Sequence, residues 1–218
     1  MCPVRSGDRL PANKATGAGP QILEQTMQLP WDEHFHEIVI PAWQAYLRSE
    51  TRLTEAAGAG DDEAVKRAGY DALREGGAAT IYLHHFAEIV RRAQPAWAHG
   101  KIGSLGDLRH WLSQHCTMLR NDSRPIADVE LCGDVADALK HAVLTQRLDV
   151  RQVRENDAVI ALSTGYDQLA FGEGKFGGVV QIIVVANSGL RALSSVLQNV
   201  VDAWRRVSGT TLPPIGAA

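Results

Sequence analysis

The chain has 218 residues, 45% of them hydrophobic and 22% charged, with a formal net charge of −3 when histidine is neutral. That balance suits one soluble globular domain, or one with an appendage. It excludes a global basic field for nucleic acid, so any such contact needs a local patch. The three cysteines, Cys2, Cys116 and Cys132, have no C-x-x-C spacing. They argue against a disulfide framework and for a reducing cytoplasm. No apolar run approaches the roughly 20 residues of a membrane span, and the N-terminus has no apolar segment of a secretory signal.

Residues 1 to about 20 are rich in Pro, Gly, Ala and polar side chains and read as a loose tail. Structure is expected from Ile22. Trp31 to about Ala57 predicts a helix with Phe35, Ile38, Val39, Trp43, Tyr46, Leu47 and Leu53 on one stripe. Pro41 interrupts it, which predicts a kink or a restart with Pro41 in the first turn. A second helix, capped by Asp61 or Asp62, runs toward Ala93 and stops at Gln94-Pro95. Gly76-Gly77 within it marks a break or a close helix crossing, since each Gly costs about 1 kcal/mol in a helix. Ser104-Leu105-Gly106-Asp107 resembles a capping box and opens a helix reaching about Leu119. A polar turn spans Arg120 to Pro125. The next helix starts between Ala127 and Leu131 and runs through Leu144.

After Thr145 the pattern changes from helical to extended. Ala158 to Leu162 and Gln168 to Phe171 are short strand candidates, with a turn at Ser163-Thr164-Gly165. Val179 to Ala186 is the strongest strand, β-branched and almost wholly apolar, which suggests burial on both faces. Asn187 or Ser188 then caps a final helix to about Val207. Its stripe carries Leu190, Leu193, Val196, Leu197, Val200, Val201 and Trp204. The expected architecture is mostly α, of the α+β kind. A four- to five-helix bundle (residues 21–149) carries a small antiparallel β-meander closed by an amphipathic helix (150–209), followed by a tail (210–218).

Gly172 to Val179 matches a kinase-type phosphate loop, G-x-G-x-F-G-x-V, but no strand lysine, catalytic Asp or Asp-Phe-Gly follows. It reads as a hairpin tip, with anion binding by its N–H groups and Lys175 as the minor alternative. There are eight histidines. Asp137 and His141 are an i, i+4 pair that His84 or His85 could join from the second helix, but no Glu-x-x-His pair occurs. Ser194-Ser195 have no nucleophile elbow, and Cys116 lies on an apolar stripe.

The densest ionisable cluster is on the helix of Cys132 to Leu144. Asp134, Asp137 and His141 fall within about 60° of one another, opposite Val135, Leu139, Ala142 and Val143. Either that polar side faces water, or another element covers it and makes a site.

Arg109-His110-Trp111-Leu112-Ser113-Gln114-His115 reads R-[N/D/H]-x4-H. This resembles the motif of the HEPN superfamily, and the Cys132–Leu144 stretch resembles another form of it. The resemblance implies a compact helical domain, in many members a metal-independent ribonuclease. It also implies a homodimer with Arg and His at a shared cleft. Under it, His141 is the general acid/base, oriented by Asp134, Asp137 and Lys140, and Arg109 with His115 forms the motif pair. Arg109 and His115 are six apart, so they diverge by about 120° on a straight helix.

The function expected is that of a bacterial or phage-type HEPN-like protein binding or cleaving RNA. It would be cytoplasmic, with no cofactor and no membrane partner. The alternatives are a non-catalytic assembly protein forming a homo-oligomer and a metal-dependent hydrolase.

Overall fold

The computed structural model describes residues 29–100, 103–118, 127–141, 151–163, 168–169, 173–175 and 177–209. The expectations for the two tails, Ile22, the 120–125 turn, residues 142–144 and the 164–165 turn lie outside the described residues.

The chain opens with α1 (Trp31–His34), a π-helical segment (Phe35–Val39) and α2 (Ile40–Ala59), wound as one rod. Pro41 sits in the first turn of α2. It has no N–H to give the preceding turn, and its ring crowds a carbonyl there. The wider π register before it absorbs both defects without a sharp break. Phe35, Val39, Trp43, Tyr46 and Leu53 are buried along the stripe.

The second rod is α3 (Asp62–Ala93), capped by Asp61, whose side chain accepts from the Ala64 N–H at 3.0 Å. It is unbroken at Gly76-Gly77. Instead the two rods cross closely there. A Cβ on Gly76 would lie 3.1 Å from the Tyr46 ring and 3.0 Å from Leu193. Gly69 faces Leu53 in the same antiparallel hairpin. The rod ends at Gln94, which takes a left-handed φ of 48° before Pro95.

α4 (Leu105–Ser113) has the full capping box: Asp107 N–H donates to Ser104 Oγ, and Ser104 N–H donates to Asp107 Oδ2. It ends well before the expected Leu119. Past Cys116, the N–H groups of Thr117 and Met118 both donate to Asn199 Oδ1 at 3.0 Å. A side chain on the last helix thus replaces the next helical turn. α5 (Asp128–His141) packs against α3, α4 and α6 (Leu193–Ser208).

The sheet is an antiparallel meander in the order β1 (Val159–Ser163), β2 (Val180–Ala186), β3 (Gly189–Ala192). Val159 pairs with Val184, and Ala186 with Gly189 across the two-residue turn Asn187-Ser188. β2 is buried at Gln181, Ile182, Ile183, Val184 and Ala186. Two expectations change here. Gln168 and Leu169 form a bend, not a strand. Asn187-Ser188 turns a hairpin rather than capping a helix, so Leu190 belongs to β3. The final helix starts only at Leu193, and Leu193, Val196, Leu197, Val200, Val201 and Trp204 are all buried. Together α2, α3, α5, α6 and β2 enclose one core, with Tyr46, Phe35, Phe86 and Trp204 among its largest side chains. Among the described residues no helix is long and apolar enough to cross a membrane.

Candidate functional site

α3, α4, α5 and the segment before β1 leave a cleft of about 320 Å³. Its floor is α5, at Val129, Glu130, Gly133, Asp134 and Asp137. α4 supplies Gly106, Arg109 and His110, α3 supplies His84, and Arg151 closes one side.

His84 and Arg109 meet at its back. Arg109 Nη2 lies 3.0 Å from His84 Nε2. Arginine is a donor only, so Nε2 must be the accepting, unprotonated nitrogen, and the ring is neutral with its proton on Nδ1. Burial, then the Arg109 charge, drives the His84 pKa down to about 4. The ring fits because position 133 is glycine. A Cβ there would lie 3.0 Å from both Nδ1 and Cε1 of His84. Burial also lowers the Arg109 pKa, with the nearby Glu88 and Asp137 charges opposing. Arg109 forms no ion pair with a carboxylate among the described residues; its partner is the imidazole.

The carboxylates are engaged differently. Arg151 Nη1 sits between Asp134 Oδ1 at 3.2 Å and Asp137 Oδ2 at 3.1 Å. The Gln152 N–H donates to Asp134 Oδ2 at 2.7 Å. Burial raises the Asp134 pKa, while the Gln152 N–H and Arg151 pull it back. Glu130 accepts the Ser113 hydroxyl at 3.0 Å. At Asp134 and Asp137 the polar side of α5 is therefore met by residues 151 and 152.

The expected site residues separate into two groups. Asp134, Asp137 and Arg109 line the cleft; Lys140, His141 and His115 do not. His141 shares the helix face of Asp134 but lies seven residues on, about 10.5 Å along the axis. The cleft ends before it, and His141 is exposed. Lys140 is exposed too, and its ammonium contacts His85 Nε2. His115 lies past the end of α4. Its Nδ1 is 3.0 Å from the Trp111 carbonyl and its ring stands edge-on to Trp111 at 4.9 Å. The divergence over six residues from Arg109 thus places it on another surface. Nothing in residue spacing singled out Arg151, because it lies outside the helical pattern. For His84 the one trace in the sequence is Gly133, whose missing side chain in the middle of α5 leaves room for a close neighbour without naming it.

In the Gly172–Val179 segment, Glu173, Gly174 and Lys175 turn toward the protein, while Gly177 and Gly178 are exposed. The Gly174 N–H donates to Ser195 Oγ at 2.9 Å, and the Lys175 N–H to Gln181 Oε1 at 2.9 Å. Lys175 Nζ bonds Thr54 Oγ1 and the Glu50 carbonyl, and it lies 3.4 Å from Glu50 Oε2. Of the groups expected to meet an anion, the Gly174 N–H, the Lys175 N–H and the Lys175 ammonium are committed to the protein itself.

Cys116 and Cys132 are buried, and burial pushes both thiols up to about 12, so both remain protonated. Among the described residues no three His, Cys, Asp or Glu side chains converge as a cation site. Comparison with protein-family models, curated proteins and solved structures returns no match for this chain.

Proposed function

We propose that this is a HEPN-like helical protein that binds RNA in the cleft between α3, α4 and α5, with Arg109 as the phosphate anchor. Arg109 carries the reading. It is a half-buried guanidinium whose hydrogen-bond partner is a neutral ring and which no carboxylate pairs directly among the described residues, whereas Arg151 is matched by two carboxylates. Guanidinium–phosphate hydrogen bonds are among the stronger polar contacts available to a protein. With a net charge of −3, the chain needs such a local cation to hold nucleic acid.

For cleavage, His110 is the cleft imidazole whose ring is not held by an arginine. It takes the ribose 2′-hydroxyl proton as that oxygen attacks phosphorus. The P–O5′ bond breaks, a 2′,3′-cyclic phosphate forms, and the proton passes to the leaving 5′-oxygen. Arg109 stabilises the charge that builds on the phosphoryl oxygens.

The test uses end-labelled single-stranded RNA at low salt. Arg109→Ala should weaken binding about tenfold or more. His110→Ala should bind normally and not cleave, and His141→Ala should match the wild type in both assays. Wild-type protein that binds no RNA, or Arg109→Ala protein that binds as tightly, overturns the reading. Sedimentation of the same preparation reads the dimer that the resemblance implies.

A further inference from the structure

Arg109 stands on α4, but the side chain that orients it stands on α3. Its Nη2 donates to His84 Nε2 at 3.0 Å. α3 is fixed at that level by Leu83, Phe86 and Ala87, all buried. α5 limits the ring from the other side, since a Cβ on Gly133 would lie 3.0 Å from its Nδ1 and Cε1. The acceptor therefore has a set place against a side chain that lines the cleft. Arginine has a long flexible stem, and immobilising it on a ligand costs conformational entropy. A partner already in position meets part of that cost before the ligand arrives.

The holders of the other guanidinium groups are different in kind. Arg151 and Arg191 are each held by two carboxylates, which also balance their charge. The holder of Arg109 is uncharged, because burial, then the Arg109 charge, keeps the His84 pKa down at about 4. We infer that His84 is a positioning residue for RNA binding, which holds the Arg109 guanidinium in place for a phosphate without adding a negative charge that would compete with it. The inference rests on the RNA reading above. His84 acts through Arg109 and not on the RNA.

The probe is fluorescein-labelled oligo(U) at neutral pH and low salt. Glutamine carries its amide oxygen about where Nε2 lies, so His84→Gln should bind within about twofold of wild type. Asparagine is one methylene shorter and its oxygen falls short of Arg109. His84→Asn should bind about three- to tenfold more weakly, the effect of one more long side chain to immobilise. Glutamate has the shape of glutamine and a charge. His84→Glu should keep Arg109 in place yet bind about tenfold more weakly than His84→Gln, because its carboxylate competes with the phosphate. A role only in joining α3 to α4 predicts the reverse, with the Glu variant binding as well as the Gln variant. In an Arg109→Ala background the Gln and Asn variants should differ by less than about twofold, since the group they position is gone. The Gln and Glu comparison decides even where the Asn variant fails to fold. Equal binding by the Gln and Asn variants, a Glu variant that binds like Gln, or an Asn loss undiminished without Arg109 overturns the inference. With Arg109→Ala itself weak, the RNA reading then still stands. Absence of binding by the wild type overturns both.

Discussion

At position 84 an imidazole lies between a guanidinium and the backbone of a facing helix, and its surroundings decide its proton. Its folded-state pKa, about 4, is below the ordinary value of 6.5, chiefly because burial disfavours the charged ring. As pH falls, the unfolded chain therefore takes up the proton first. The stability that His84 contributes is complete above pH 6.5 and is lost as pH drops toward about 4. Allowing for water in the cleft, the effect is on the order of 2 kcal/mol. His84→Gln should flatten the pH dependence of the urea midpoint across that window. Parallel profiles for variant and wild type would show that burial does not hold the ring neutral.

Among the elements, the crossing of α2 and α3 depends on Gly76. Its missing side chain lets the Tyr46 ring and Leu193 close onto the α3 backbone at 3.1 and 3.0 Å from the Cβ position. Tyr46 cannot easily yield, since its hydroxyl donates to Glu50 at 2.8 Å inside the core. Burial, then the Glu50 carboxylate, holds that phenol well above its ordinary pKa. Gly76→Ala should therefore cost about 1–2 kcal/mol net, overpacking outweighing the gain in helix propensity. That is a drop of several degrees in the calorimetric Tm for a chain of this size. Gly58, in the last turns of α2 with nothing within 4 Å of its Cβ position, supplies the contrast. Gly58→Ala should raise the Tm slightly.

Across the whole molecule, two buried polar assemblies tie the sheet to the helices. In one, Arg191 on β3 joins Asp128 at 2.6 Å and Glu173 at 2.5 Å, while Asn199 on α6 donates to Asp128 at 2.6 Å. Burial works against charge on Arg191, but the two carboxylates outweigh it and raise its pKa. In the other, buried Glu50 on α2 accepts from Tyr46 and from the Ile182 N–H of β2, and meets Lys175. Removing one partner of such a set strands a buried charge. Arg191→Ala should cost about 3–5 kcal/mol in chemical denaturation, and Arg74→Ala, in an exposed ion pair, should leave the denaturation midpoint nearly unchanged. Similar losses for the two would mean that the Arg191 assembly does not hold the sheet in place.

The sequence by itself determined the main helices, the strongest strand and most of the core. Apolar periodicity, the Asp61 cap, the Ser104–Asp107 box and the β-branched run of β2 are local signals, and local hydrogen bonding and burial enforce them. Spacing placed Asp134 and Asp137 on one face, and Arg109 stood out in its motif. Only the tertiary structure decided what these residues face. Asn199 ends the stretch after α4 from a distant helix, and a two-residue turn inserts β3 before α6. Arg151 reaches Asp134 and Asp137 from an irregular segment, and the His84–Arg109 pair joins two helices through a space kept open by Gly133. Each is a contact between residues far apart in the chain, set by how whole elements pack, and periodicity along one helix does not encode it.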